Sequence, residues 1–178
     1  MTFTLAIVGK PNVGKSTLFN RLVGKKIAIV DNQAGVTRDI REAETKLGKS
    51  KYKVVDTAGL EDAREETLQF RMSSFSLRAV EQANACIFLV DAKVGITVAD
   101  QTYAELLRRK AKNIIVVANK IEGFVANIGF YETFSLGLGT PIGISAEHGL
   151  GMDELYERLT DLLNSHFDSN LINKKSVR

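Results

Sequence analysis

The chain has 178 residues, of which 44% are hydrophobic and 25% are charged, and its formal net charge is +3. This length is typical of one domain with a single α/β core, and the composition is that of an ordinary soluble globular protein. No apolar run approaches the ~18 residues that a membrane-spanning helix needs. The mildly basic charge is compatible with an RNA-rich neighbourhood but does not demonstrate one.

The single cysteine, Cys86, lies in the apolar run Cys86–Val90. It cannot form an intramolecular disulfide, and we interpret it as an inert core residue. The first residues, Met1–Leu5, lack the basic region and the longer apolar region of a signal peptide. We therefore expect a cytoplasmic protein.

Five short apolar runs predict strands that are buried on both faces, because each run is almost continuously apolar. They are Leu5–Val8, Tyr52–Val55, Cys86–Val90, Ile114–Ala118 and Ile142–Ser145. Helical patterns lie between or after them, at Lys15–Val23, about Thr67–Gln82, Val98–Arg109 and Met152–Leu163. Alternating strands and helices predict an α/β fold with a doubly wound, mostly parallel sheet and helices on both faces.

Two segments depart from this alternation. After the first helix, Gly35 and the polar residues that follow it predict a long mobile loop. A sixth strand around Glu44–Leu47 is predicted to pair antiparallel at the edge of the sheet. The polar end, His166–Arg178, is interpreted as a linker or tail. The predicted organisation is one domain over residues 1–165 and a polar tail over residues 166–178.

The segment Gly9–Ser16 reads GKPNVGKS and matches the phosphate-loop pattern G-x-x-x-x-G-K-[ST] between a predicted strand and a predicted helix. Its glycines let successive backbone N–H groups point into one concavity, to which the helix adds its positive end. Lys15 is predicted to bridge the β- and γ-phosphates, and the Ser16 hydroxyl to ligate Mg²⁺. The alternative, a glycine turn with a surface lysine, is disfavoured by this context.

The segment Asp56–Gly59 reads DTAG and follows the second apolar run. A carboxylate at the carboxyl end of a neighbouring strand is where the Mg²⁺ shell needs a second protein ligand, although an Asp there can also simply cap a turn. Gly59 permits its backbone N–H to approach the γ-phosphate. Thr37, in the predicted loop, is the candidate hydroxyl that reaches Mg²⁺ when a γ-phosphate is present and leaves it on hydrolysis.

The segment Asn119–Glu122 reads NKIE and follows the fourth apolar run. The Glu122 carboxylate can accept hydrogen bonds from both N1–H and the exocyclic amine of guanine, whereas it repels the N1 acceptor of adenine. Lys120 is predicted to lay its methylene stem along the base. Asn119 is predicted to tie this loop to the base edge and the phosphate loop. An adenine-nucleotide kinase or ATPase is therefore disfavoured.

The segment Ser145–Glu147 reads SAE and closes the last apolar run. The Ala146 backbone N–H is predicted to donate to guanine O6. His148 lies beside this segment and is interpreted as a solvated loop residue rather than a ligand.

In chain order, these segments resemble the five guanine-nucleotide motifs of translation-factor-class GTPases, and Gly9–Asn20 resembles the group that contains the bacterial proteins Era, TrmE and Der. Val90–Thr97, Ile144–Gly149 and Asn119–Gly123 are similar to the first GTPase domain of the Der family, in which Glu can replace the usual Asp at the position of Glu122. The resemblance covers about residues 3–165. It implies that the nucleotide site contains Gly9, Pro11, Asn12, Val13, Gly14, Lys15, Ser16, Thr17, Asp56, Gly59, Asn119, Lys120, Glu122, Ser145, Ala146 and Glu147.

Der proteins have two tandem GTPase domains followed by a KH-like domain that faces RNA, and they assist maturation of the large ribosomal subunit. The resemblance therefore implies an amino-terminal portion of such a protein, with GTP as substrate and ribosomal RNA and protein as partners of the full chain. An alternative is a GTP/GDP switch with little turnover that serves as a conditional ribosome-binding module.

Position 60 holds Leu60 where Ras-like enzymes have a Gln that orients the attacking water. In GTPases that resemble this chain, an Asn at the position of Asn12 helps to hold a K⁺ ion, together with backbone carbonyls that correspond to about Asp31–Val36. The resemblance thus implies that K⁺ supplies the charge of an arginine finger. Alternatively, Asn12 only supports the turn and Arg38 serves as the finger.

Overall fold

The computed structural model describes residues 2–24, 41–57 and 74–175. Its strands are β1 (Phe3–Val8), β2 (Arg41–Leu47), β3 (Ser50–Asp56), β4 (Ala85–Asp91), β5 (Ile114–Asn119) and β6 (Ile142–Gly143). They form one six-stranded sheet in the order β2-β3-β1-β4-β5-β6. Neighbouring strands are parallel except for the β2–β3 pair, which is antiparallel. This confirms the predicted mostly parallel sheet with its antiparallel edge strand.

Helices cover both faces of the sheet. The side chains of β1, which alternate in direction along the strand, therefore pack into two separate cores. The helices are α1 (Lys15–Val23), α2 (Ser74–Gln82), α3 (Val98–Lys110), α4 (Phe124–Glu132) and α5 (Met152–Lys175), and a 3₁₀ helix (Thr133–Leu136) follows α4. Leu5 and Ile7 pack in one core with residues of α1 and α5. Ala6 and Val8 pack in the other core with residues of α2 and α3. The predicted doubly wound architecture is confirmed.

The sequence pattern did not predict α4, which carries large apolar residues on its exposed face. Phe124 and Ile128 are exposed, whereas Ala126 and Gly129 are buried. Gly129 is required by close packing, because a Cβ there would lie 1.9 Å from the carbonyl oxygen of Ala92. The small residues therefore face the sheet, and the helix lacks the apolar stripe on which pattern-based prediction depends.

The predicted end of the last helix, at Leu163, is wrong, since α5 continues to Lys175. Its extension still contacts the body of the domain: Phe167 packs against the core, and the ring of His166 meets Phe3 edge-on at 5.3 Å between centroids. The residues from His166 to Lys175, which we expected to form a linker or tail, are therefore helical in the structure. Their assignment to a region outside the domain stays a prediction.

Smaller differences occur at two other elements. The strand predicted to reach Ser145 ends at Gly143, and Ser145 instead bridges to Leu150. Of the helix predicted over about Thr67–Gln82, the structure describes the part from Ser74.

Within the described ranges, none of the helices combines the length and the apolar character needed to span a bilayer.

Candidate nucleotide-binding site

The predicted site residues meet at one edge of the sheet, because parallel strands bring their carboxyl ends together there. The phosphate loop follows β1, Asp56 ends β3, Asn119 ends β5, and Ser145–Glu147 follow β6. Thr37 and Gly59 lie outside the described residues, as do Leu60 and the segment Asp31–Val36.

The phosphate loop has glycine where other backbone and side-chain atoms come close. A Cβ at Gly9 would lie 2.4 Å from the Leu89 carbonyl oxygen, and one at Gly14 would lie 2.3 Å from the Asn119 side-chain nitrogen. Gly14 is also the N-cap of α1 and has a left-handed backbone, with φ +103°. Neither position has room for a side chain. Glycine at both positions allows the loop to curl tightly at the positive end of α1.

Lys15 is buried at the start of α1, and 4% of its surface is exposed. Its ammonium donates hydrogen bonds to the carbonyl oxygens of Gly9 at 2.7 Å and Lys10 at 2.8 Å. The side chain thus folds back along the inside of the loop, unlike the surface lysine of the alternative interpretation. Val13 is buried as well, whereas Pro11, Asn12 and Thr17 are exposed.

Ser16 and Asp56, the two predicted Mg²⁺ ligands that the structure describes, are in contact. The Ser16 hydroxyl donates to Asp56 Oδ2 at 3.0 Å, and the Asp56 carboxylate is buried. Its neighbour Thr57 is fixed to β1, because its hydroxyl donates to the Ile7 carbonyl oxygen at 2.8 Å. Two hard oxygen donors beside a phosphate loop fit Mg²⁺, which usually takes few protein ligands and completes its shell with water and phosphate.

Asn119 joins the phosphate loop to the loop after β6. Its side-chain amide donates to the Val13 carbonyl oxygen at 2.9 Å, and its Oδ1 accepts from the Ala146 N–H at 2.9 Å. The link to the phosphate loop agrees with its expected role. The Ala146 N–H, which we expected to donate to guanine O6, donates to Asn119 in this structure.

Lys120 lies between the phosphate loop and β4. Its ammonium donates to the Asn12 carbonyl oxygen at 2.8 Å and to Asp91 Oδ2 at 2.6 Å. Its backbone is left-handed, with φ +65°. Since such a backbone is unfavourable for a residue with a side chain, the surrounding contacts must hold it in place.

Glu122 is anchored by two side chains from other segments. Its carboxylate accepts a hydrogen bond from the Ser145 hydroxyl, and Lys93 Nζ lies 3.3 Å from its Oε2. The hydrogen bond from Ser145 lowers the pKa of Glu122 more than any other contact, and Lys93 lowers it further. Glu122 is therefore a charged acceptor at neutral pH, as recognition of guanine N1–H requires. His148 is more than half exposed, in keeping with a solvated loop residue.

Two residues that support the site, Arg21 and Asp100, were missed in the sequence because they lie outside the motifs. Arg21 donates from Nε to the Ala146 carbonyl oxygen at 2.6 Å and from Nη2 to the Glu147 carbonyl oxygen at 2.9 Å. Lys10 forms an ion pair of 3.1 Å with the buried Asp100 of α3. The Thr-x-x-Asp spacing of a capping box could have marked Asp100, but no local pattern marks Arg21.

Comparisons with known proteins agree with this fold. GTPase Der from Ruegeria sp. strain TM1040 is 57% identical over 159 residues, which cover 89% of this chain and 32% of that protein. A structure of Era bound to GDP.AlF4- from Aquifex aeolicus is 30% identical, with a TM-score of 0.67 and coverage of 92% of this chain and 57% of that one. A structure of Era with MgGDPNP and nucleotides 1506-1542 of 16S ribosomal RNA is 32% identical, with a TM-score of 0.70 and coverage of 91% and 57%.

The chain spans about a third of the length of the curated relatives it matches. Those relatives confirm the resemblance to Der, and the solved structures confirm the fold. The family described as 50S ribosome-binding GTPase matches residues 4–120. Because this match covers well over half of the chain, the chain belongs to the family of 50S ribosome-binding GTPases and contains its GTP-binding domain.

Proposed function

We propose that the protein hydrolyses GTP to GDP and phosphate with Mg²⁺, and that the full-length protein acts in assembly of the large ribosomal subunit. One observation supports the proposed hydrolysis of GTP. At the end of the phosphate loop the Ser16 hydroxyl donates to the Asp56 carboxylate, and the buried Lys15, next to Ser16 in the chain, has its ammonium on the carbonyl oxygens of the same loop. Hard oxygen ligands and a fixed positive charge are what Mg²⁺ and the β- and γ-phosphates of a nucleotide need.

Catalysis would come mainly from positioning and electrostatic stabilisation. Lys15 would exchange its two carbonyl acceptors for phosphate oxygens and face the negative charge that grows as the γ-phosphate leaves. Ser16 and Asp56 would hold Mg²⁺, which neutralises phosphate charge when bound. By resemblance, Thr37 would add a hydroxyl in the GTP state, and the Gly59 N–H would approach the γ-phosphate.

Guanine would be read at the other end of the site. The charged Glu122 would accept from N1–H and the exocyclic amine, and the methylene stem of Lys120 would lie along the base. For Ala146 to donate to O6, its N–H must exchange or share its hydrogen bond to Asn119. Adenine presents an acceptor to Glu122, so the carboxylate would reject it.

Potassium is the proposed substitute for an arginine finger. Asn12 lies exposed near the tip of the phosphate loop with a left-handed backbone, φ +66°. Its carbonyl oxygen is engaged by Lys120, whereas its side-chain amide is at the surface. The amide oxygen would help to hold K⁺ near the oxygen between the β- and γ-phosphates, together with carbonyl oxygens from Asp31–Val36.

The ribosomal role rests on the family and on the relatives. The family is that of 50S ribosome-binding GTPases, and the similar Era structure holds a segment of 16S ribosomal RNA. The test is cosedimentation of the full-length protein with purified 50S and 30S subunits, in a non-hydrolysable GTP analogue or in GDP. We expect retention on 50S subunits with the analogue and much less with GDP.

Phosphate release measured in the same mixtures separates an active GTPase from the alternative, a switch with little turnover. Equal retention on both subunits, or retention that ignores the nucleotide, would contradict the proposed role in large-subunit assembly. Lys15→Ala serves as the matched control, since it should lose the nucleotide dependence.

A further inference from the structure

Asp91, at the end of β4, is a buried carboxylate outside the predicted nucleotide-binding residues. Only 5% of its surface is exposed, and both of its oxygens accept hydrogen bonds. Oδ1 accepts from the backbone N–H groups of Lys93 at 2.9 Å and Val94 at 3.2 Å. Oδ2 accepts from the Lys120 ammonium at 2.6 Å. Asp91 therefore fixes its own loop and, at the same time, Lys120, the lysine that we propose lies along the base.

The Lys120 ammonium links Lys120 to Asn12, and both residues have unfavourable backbone conformations. Among the described residues, Asn12 and Lys120 are those other than glycine that have positive φ, at +66° and +65°. The ammonium of Lys120 donates to the Asn12 carbonyl oxygen at 2.8 Å. Strained residues of this kind persist where surrounding contacts hold them, and they cluster at functional sites. The ion pair with Asp91 is one of the contacts that hold this pair.

The loop after β4, which Asp91 precedes, is held in place by contacts with β5 and α4. The Ala92 N–H donates to the Asn119 carbonyl oxygen at 2.9 Å, and the Ala92 carbonyl oxygen is pressed against Gly129 of α4. Further along, Glu132 of α4 accepts from the Ile96 N–H at 3.1 Å. Because this loop is held from β5 and from α4, the position of the Asp91 carboxylate is set by the fold rather than by the nucleotide.

We propose that Asp91 is a positioning residue for guanine-nucleotide binding, which holds the Lys120 ammonium against the phosphate loop so that the lysine stem is in place before the base arrives. This inference rests on the proposed function. Without Asp91, Lys120 must lose conformational freedom on binding, and that cost lowers the affinity for nucleotide. Asp91 acts through Lys120 and does not itself touch the nucleotide.

The test is a double-mutant cycle of Asp91→Asn and Lys120→Met, read as the dissociation constant for fluorescently labelled GDP with Mg²⁺. Asn keeps an acceptor for the loop N–H groups but removes the charge. We expect Asp91→Asn to weaken GDP binding about tenfold, since a charge-assisted hydrogen bond is lost at a partly exposed lysine. In the Lys120→Met background, the same change should have no further effect.

Glu132→Gln is the matched control, because Glu132 also binds the backbone of this loop but does not contact Lys120. It should bind GDP as the unaltered chain does. If Asp91→Asn alone does not fold, the inference is tested by thermal unfolding of Lys120→Met and of the double variant Asp91→Asn/Lys120→Met. Lys120→Met leaves a buried carboxylate without its ammonium, so adding Asp91→Asn should raise its unfolding temperature and leave its GDP affinity unchanged.

Equal GDP affinity of Asp91→Asn and the unaltered chain would overturn the inference, as would the same loss in both Lys120 backgrounds. Failure of the unaltered chain to bind GDP at all would overturn the proposed function as well.

Discussion

The two ends of the candidate site are built differently. The described part of the phosphate end comes mostly from one contiguous stretch, Gly9–Ser16, in which glycines and backbone carbonyl groups set the shape, and β3 adds Asp56. The base end depends on side chains from distant parts of the chain, such as the contact of Glu122 with Ser145 and its ion pair with Lys93. A short motif can therefore specify the phosphate end, whereas the base end is specified only once the sheet has brought its strands together.

The largest effect is expected at the base end. Glu122→Ala should remove most of the preference for GTP over ATP, because recognition by buried hydrogen bonds can reach on the order of 10⁴-fold. The measurement is competition of GTP and ATP, and of GDP and ADP, for a fluorescent nucleotide. Glu157→Ala, which removes an exposed carboxylate of α5 outside the site, is the control that should keep the preference. An undiminished preference in Glu122→Ala would move base recognition elsewhere.

At the phosphate end, Lys15→Ala should reduce the rate of GTP hydrolysis by roughly 10²- to 10³-fold, as removal of a preorganised charge does in other enzymes. Single-turnover phosphate release measures the change. Thermal unfolding of the nucleotide-free variant checks that the fold survives, and Lys112→Ala removes an exposed lysine for comparison. A hydrolysis rate within twofold of the unaltered chain would refute the assignment of Lys15.

A smaller effect is expected from the monovalent cation. Hydrolysis should rise about tenfold when K⁺ replaces Na⁺ at constant ionic strength, because the ion places positive charge against the oxygen that becomes negative. Asn12→Ala should abolish this rise with little change in GDP affinity. Equal rates in Na⁺ and K⁺ would exclude the potassium role and direct attention to Arg38 or to a residue supplied by the ribosome.

The smallest effect is a shift in the titration of Glu122. Its folded pKa is lowered, so the contribution of its contacts to stability is complete above the ordinary pKa of Glu, about 4.3, and is lost as the pH falls through the lower folded value. Ser145→Ala removes the largest cause of the lowering. The variant should therefore lose that contribution at a higher pH, seen as a higher pKa in an NMR titration of the Glu122 carboxyl. An unchanged pKa would show that Lys93, rather than Ser145, stabilises the charged form of Glu122.

Local pattern predicted most of the fold because each strand of the parallel sheet is buried on both faces. It failed at α4, where buried Ala126 and Gly129 reverse the usual arrangement of large and small residues. In the same way, the motifs predicted Lys120 and Glu122 but not Asp91, Lys93 or Arg21. The supporting roles of these residues depend on contacts that form only in the folded domain, such as that of Arg21 of α1 with the loop after β6, and the spacing along the chain does not reveal them.

The central claim is that this chain hydrolyses GTP in preference to ATP at the site described. Its most direct test is release of phosphate by the purified chain from GTP or ATP, in K⁺ buffer with Mg²⁺ and again after chelation of the metal. We expect release from GTP that stops on chelation, and little release from ATP under any condition. Equal release from the two nucleotides, or release from GTP that persists after chelation, would contradict it.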